Sequence, residues 1–280
     1  MKNLLKAFFV CSILIFPLKI FLVAQVLETE ESKPLLPGQF EIGTGVEFQT
    51  SNEGTEIAVP LSVEYGISKS ISLLVEPVAF TRIQTKNIPT ANGIGDLEFT
   101  LFYQILSEKK NSPAISIAGE VKLPTANNRQ IGTGKTDYTP FIIISKTMGP
   151  FFTSLNLGYT FVGNPDNINA NDLFNFSAGT IYTITPSSII FAEVYGNTVA
   201  FGGSETSAEK MHGSTKKITQ KDVKTLLAEN TTELSGGELI GAAGFGYYLQ
   251  KDLLISLGVS YDNNNAILFR PGIQWKFGGH

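Results

Sequence analysis

Five residues, Gly132-Thr-Gly-Lys-Thr136, match the end of a phosphate-binding loop, in which backbone N–H groups and a lysine hold a polyphosphate. The complete pattern needs glycine at position 129, where Arg129 stands, and a strand-to-helix passage that the surrounding residues do not provide. Gly93-Ile-Gly95 is too common a spacing to mark a dinucleotide site. A nucleophile needs a base beside it, but His212 lies in a loop-like stretch and His280 is the last residue. With one cysteine, Cys11, and two histidines, neither a disulfide framework nor a structural zinc site can be assembled. The expectation is a chain that is not an enzyme and carries no metal and no cofactor. What remains is a set of charged side chains that recur in one phase of an alternating pattern, among them Arg82, Asp96, Glu98, Glu120, Lys122, Asp137, Arg270 and Lys276.

That alternation identifies the elements. Ile267, Phe269, Pro271, Ile273, Trp275 and Phe277 alternate with Leu268, Arg270, Gly272, Gln274 and Lys276. The same period of two runs from Phe151 to Phe161 and from Leu97 to Ile105, and recurs about twelve times between residue 38 and the end. Each segment is close to the roughly 9–11 residues that a tilted strand needs to cross a bilayer, longer than the roughly 5–6 of soluble sheets. Connections alternate as well. Ile67–Ser70, Ser107–Ser112, Met148–Gly149, Thr185–Ser187 and Gln250–Asp252 are short, whereas Gln84–Gly93, Thr125–Gly134, Gly163–Ala170 and Phe201–Ser235 are mostly longer. The fold expected is all-β: an antiparallel transmembrane barrel of about twelve strands, of the outer-membrane type.

Composition agrees. Hydrophobic residues make up 42% and charged residues 16%, against roughly 25% charged in ordinary soluble chains. A net charge of −4 supplies no basic field, so no nucleic-acid partner is expected. Lys2 and Lys6 precede the apolar run Ala7–Phe16, and a second apolar stretch ends at Ala24, the order of a secretory signal. We read 1–24 as a signal peptide, 25–37 as a periplasmic leader and 38–280 as the barrel. An uncleaved anchor helix is the competing reading, weakened by Lys19 within the run. Without Lys2, Lys6 and Lys19, 18 basic residues face 25 acidic ones.

The apolar phase carries aromatics near the strand ends, including Phe40, Tyr65, Tyr103, Tyr138, Tyr159 and Trp275, as the interfacial girdles of a membrane barrel do. The other phase then lines the lumen, with eleven acidic and four basic residues. A soluble ligand-binding barrel would reverse these faces. Pairing strands outward from the loop midpoints places Arg82, Asp96, Lys122 and Asp137 side by side at the extracellular mouth, alternating in sign. Such a row either stiffens the mouth or forms an eyelet touching solute. The connection 201–235, read as a long extracellular loop, is either a gate over the pore or a surface loop.

Four stretches carry a family resemblance: Gly93-Ile-Gly-Asp96, Glu120-Val-Lys-Leu-Pro-Thr125, Gly132-Thr-Gly-Lys-Thr-Asp-Tyr138 and Leu157-Gly-Tyr-Thr-Phe-Val-Gly163. Together they resemble the outer-membrane transporter family of the MetA pathway of phenol degradation. The resemblance implies an outer-membrane channel or transporter for small, often aromatic or hydrophobic, solutes. Its partners would be outer-membrane lipid, the barrel-assembly machinery and a small-molecule solute. A structural or adhesive surface protein with a partner-binding loop is the alternative.

Overall fold

The structure is a computed structural model that describes residues 27–52, 54–86, 89–164, 171–198 and 238–279. The signal peptide read at 1–24 and the loop 201–235 lie outside the described residues. Twelve antiparallel strands close into one barrel. Strand β1 runs in two pieces, Gln39–Gly45 and Glu47–Thr50, followed by β2 (Gly54–Ser68) and β3 (Ile71–Thr85). Strand β4 is again in two pieces, Ala91–Gly93 and Leu97–Leu106, and β5 (Ala114–Leu123), β6 (Asp137–Met148) and β7 (Phe151–Thr160) follow. The circuit ends with β8 (Leu173–Thr185), β9 (Ser188–Asn197), β10 (Glu238–Gln250), β11 (Leu253–Asp262) and β12 (Ile267–Gly278). Neighbours in sequence are neighbours in the wall, and β1 pairs with β12 from Gln39↔Gly278 to Gly45↔Gly272.

Two irregularities have identifiable causes. The break in β1 falls at Val46, opposite Pro271. Val46 N–H donates to the Pro271 carbonyl at 3.0 Å, but proline has no N–H to return, so the ladder lapses without a change of register. In β3 the register does change. Val59 pairs with Phe80 and Pro60 with Val78, which leaves Ala79 as an extra residue, a β-bulge. Ser72, Leu74 and Val78 face inward before the bulge, and Thr81 and Ile83 after it.

The exterior inverts the pattern of a soluble protein. Leu101, Ile117, Ile142, Leu155, Ile190 and Leu257 are exposed apolar side chains on the outer face. At the short-turn end Phe40 packs on Tyr65 (centroids 4.6 Å apart) and stacks on Phe277, and Phe151 meets Tyr182 at 4.8 Å. At the opposite end Tyr159 and Phe161 form an edge-to-face pair at 5.2 Å. These rings form two bands bracketing an apolar belt. The turn 107–112 is clipped by Glu108, which accepts from the Thr147 N–H and hydroxyl and pairs with Lys146 at 3.1 Å. Partial burial works against ionisation of Glu108, but the Thr147 hydrogen bonds and the Lys146 ammonium hold its carboxyl below the usual range.

The segment 27–37, read from the sequence as a leader outside the barrel, is largely inside it. Leu27, Thr29, Ser32 and Leu35 are buried, and the chain reaches the short-turn rim only at Leu36–Gly38. The inner wall is populated by serine, threonine and glycine, whose small side chains leave room for a second, internal layer of chain. Closing the sheet gives every strand two partners, so no edge is left in an apolar solvent. The detergent-solubilised barrel is therefore expected to stay compact in dodecyl sulfate until boiled, migrating faster on gels before heating than after. Identical migration would contradict a closed barrel.

Candidate functional site

The first site is at the long-loop end. Lys122, on β5, places its ammonium 2.5 Å from Asp137 on β6 and 3.8 Å from Asp96 at the entrance to the second piece of β4. Its ammonium also donates to the Thr133 hydroxyl at 3.5 Å. Lys122, Asp96 and Asp137 are only 1%, 4% and 2% exposed. The loop between β5 and β6 explains that burial. Ile131 inserts beside Ile83 and Ala91, so the loop folds inward over the charges. Asp96 accepts from the Ala126 N–H at 2.9 Å, and Asp137 from the Gly163 N–H at 2.7 Å. Gly132 lies so close that a Cβ there would be 2.8 Å from both Asp96 carboxylate oxygens, and Gly134 turns the chain at φ +70°. The lysine-bearing Gly132–Thr136 stretch thus belongs to a carboxylate clamp. The four stretches that carry the family resemblance converge here.

Arg82 is not part of this cluster. Expected on the inward phase, it is exposed on the outer face, because the extra residue at Ala79 reverses the phase of the rest of β3. By register the row across the wall at this height runs Glu76 of β3, Glu98 of β4, Lys122 of β5 and Asp137 of β6, so the inward β3 position is held by Glu76.

The second site is the middle of the lumen. Glu98 and Glu120 line cavities there. Arg270, on β12, pairs with Glu47 of β1 at 2.7 Å and with Glu28 of the internal segment. Lys276 pairs with Glu41 at 2.6 Å nearer the short-turn end. Hence all four of Glu98, Glu120, Arg270 and Lys276 face the lumen.

The internal segment is held mainly by its backbone. Glu193 of β9 accepts from the Glu28 N–H (2.9 Å), the Thr29 N–H (3.2 Å) and the Thr29 hydroxyl (3.1 Å). The Ser32 N–H donates to Ser145 at 2.9 Å, and the Ser32 carbonyl accepts from Gln104 and Ser116 at 2.9 and 2.5 Å. The Glu30 carbonyl accepts from Ser154 at 2.6 Å. Residues 27–32 thereby cross the lumen from β4 to β9, where Leu27 packs against Ile181, Ile189, Phe191 and Leu254. Cavities of about 120 Å³ and 60 Å³ remain beside it, both touching Glu28 and Glu98. Sequence reading missed Glu28, Glu47 and Glu193 as a set. Glu193 and Glu28 are 165 residues apart, Arg270 and Glu28 are 242 apart, and no local period connects such positions.

A closed antiparallel barrel with an apolar belt, aromatic bands and a polar, charged interior is an outer-membrane-type β-barrel. The chain belongs to the family described as "Putative MetA-pathway of phenol degradation", whose sequence model matches residues 39–217. Among solved structures it is similar to the COG4313 outer membrane channel from Pseudomonas putida F1. That likeness has a TM-score of 0.65 at 11% identity, over 90% of this chain and 100% of that one. It is also similar to the NanC porin (TM-score 0.54, 12% identity, 84% of this chain and 100% of that one). The KdgM porin in complex with disordered oligogalacturonate gives a TM-score of 0.52 at 12% identity, over 85% of this chain and 99% of that one. At these identities the likeness is one of fold. No curated protein matches the sequence.

Proposed function

We propose that this protein is an outer-membrane channel for small solutes, in particular aromatic or otherwise largely apolar ones, with its short turns in the periplasm and its long loops outside. The observation that carries the reading is a closed wall around a polar lumen with mixed cavities, crossed by an internal segment that hydrogen bonds and ion pairs hold to the wall. Membership of a family described by phenol degradation and likeness of fold to outer-membrane channels and porins support it. Flux measured with the purified full chain tests it. Conductance in planar bilayers, or solute uptake by cells carrying the protein, is the expected result. Absence of both would overturn the reading in favour of a structural or adhesive barrel.

The buried Asp96–Lys122–Asp137 cluster stiffens the mouth in this reading and does not touch solute, since loop residues cover it. Selectivity then comes from the rest of the lumen. With Arg82 outside, the inward-phase charges are the eleven acidic residues read from the sequence together with the buried Asp262, against Lys122, Arg270 and Lys276, and the internal segment adds Glu28, Glu30 and Glu31 against Lys33. Low-dielectric walls focus such a field, so the channel is expected to favour cations and neutral solutes over anions. Reversal potentials under a salt gradient check this, and a clear anion preference would sink it.

A further inference from the structure

One charge on the outer face of the wall has nothing to neutralise it. Among the charged side chains of the described strands, only Arg82 and Lys146 point outward, and every carboxylate of these strands points to the lumen. Lys146, at the short-turn end, pairs with Glu108 at 3.1 Å and donates to the Lys110 and Ser112 carbonyls, both at 3.2 Å. Arg82, at the long-loop end, has no ion-pair partner among the described residues. A guanidinium does not give up its proton, so Arg82 meets the membrane as a cation.

The bulge at Ala79 puts it there. One residue fewer would turn Ile83 to the lipid and Arg82 to the lumen. With the extra residue, Ile83 packs inside against Ala91 and Ile131 of the mouth loop, and Arg82 stands outside. Phe80 is exposed on its membrane side, and Gln84 and Lys86 are exposed on its loop side. Asn92 of β4 is its partner in register and is also exposed, with side chains rooted about 5 Å apart. On β2, Thr55 faces Gln84 and Ile57 faces Arg82, so no acid intervenes. Two cations and two amides thus stand just beyond an interfacial ring, the depth at which a charge costs little and a long side chain reaches the headgroups. A guanidinium takes a phosphate through two parallel N–H donors, an ammonium adds a point charge, and amide N–H groups serve the remaining oxygens.

A second copy of the chain cannot supply the missing counter-charge from these strands, since none of their carboxylates faces outward. With the long loops outside the cell, the leaflet at this end is the outer one, whose glycolipid carries phosphate on its sugar headgroup. We propose that Arg82, Gln84, Lys86 and Asn92 form a docking site for a phosphate of that glycolipid. The proposal rests on the orientation given above and not on the passage of solute. Ile83 and Ala91, under Ile131, are the inner side of the same strand ends. The leaflet therefore braces the mouth from outside, as the Asp96–Lys122–Asp137 cluster does from within.

Native mass spectrometry of the full chain in mild detergent, titrated with diphosphoryl lipid A, tests it. One bound lipid is expected on the wild type. Retention is expected to be about tenfold weaker when Arg82→Gln is combined with Lys86→Gln, since hydrogen bonds to charged groups are worth at least that factor. Arg82→Lys keeps the charge without the paired donors and is expected to fall between the two. Lys69→Gln with Lys110→Gln removes two exposed cations from the opposite rim and is expected to bind like the wild type. Gel migration before boiling shows that each variant is a closed barrel. Equal retention by the wild type and the Arg82→Gln, Lys86→Gln variant overturns the site. So does an equal loss in the opposite-rim variant, or equal binding of lipid A stripped of its phosphates. Inorganic phosphate alone is expected to leave no adduct, and an adduct as tight as the lipid's would replace the lipid site with a free-anion site. Lipid retained by a wild-type protein that shows no conductance overturns the channel reading and leaves the docking site standing.

Discussion

Replacing Lys122 with methionine is expected to lower the unfolding temperature of the solubilised barrel by about 10 °C and to expose the loop 124–136 to protease. The ammonium lies between Asp137 at 2.5 Å and Asp96 at 3.8 Å, with all three residues out of contact with water. Removing it strands two buried carboxylates, and breaking a buried pair in this way costs about 3–5 kcal/mol. At the roughly 2–4 °C per kcal/mol of a domain of this size, that gives the shift stated. The same step withdraws what fixes the loop, since Asp96 and Asp137 also hold the Ala126 and Gly163 amides. Combining Lys122→Met with Asp96→Asn and Asp137→Asn is expected to recover much of the loss, because a neutral set needs no counter-charge. The heating temperature at which gel migration changes gives the unfolding temperature, and limited proteolysis reads the loop. An unchanged temperature in the single variant would show that the cluster does not staple the mouth.

Deleting residues 28–33 is expected to raise the single-channel conductance several-fold. These residues lie across the lumen and divide it into the separate cavities beside Glu28 and Glu98. Their grip on the wall is considerable: three bonds to the Glu193 carboxylate alone, each of a charge-assisted kind worth roughly 1.5–3 kcal/mol. A milder variant, Glu193→Ala, leaves the segment's length intact and removes that anchor. It is expected to give a noisier, more frequently open channel instead of a uniformly wider one. Planar-bilayer recordings separate the two behaviours. Conductance unchanged by the deletion would show that ions pass by a route the segment does not obstruct.

How legible all this was in the sequence depends on the range of each interaction. The alternation from Ile267 to Phe277 is strand β12 almost residue for residue, because lipid on one side and water on the other leave a period of two in any strand that crosses. Asp96, Lys122 and Asp137 meet because their positions relative to the loops at either end survive intact. Arg82 was lost to one residue. Ala79 bulges, and nothing in the local hydrophobic pattern distinguishes a bulged alanine from a paired one, although Pro60 and Pro77 on facing strands are the trace of it. The internal segment was illegible for a different reason. Its partners are Gln104, Ser116, Ser145, Ser154, Glu193 and Arg270, on strands brought round only by closure of the barrel. Residues 27–37 themselves have no period, since they belong to no sheet.

The manner in which the wall holds residues 28–32 has a consequence for how freely this stretch can drift over generations. Most of the contacts go to its main chain: the N–H groups of Glu28, Thr29 and Ser32 and the carbonyls of Glu30 and Ser32. Every residue except proline offers the same pair of groups, so this part of the grip does not depend on which side chains the segment carries. The informational burden falls on the wall, on Glu193, Ser145 and Ser154, where one exchange removes an anchor. A lineage can therefore rewrite its plug rapidly, retuning charge and bulk in the pore, while the receptor for that plug stays nearly fixed.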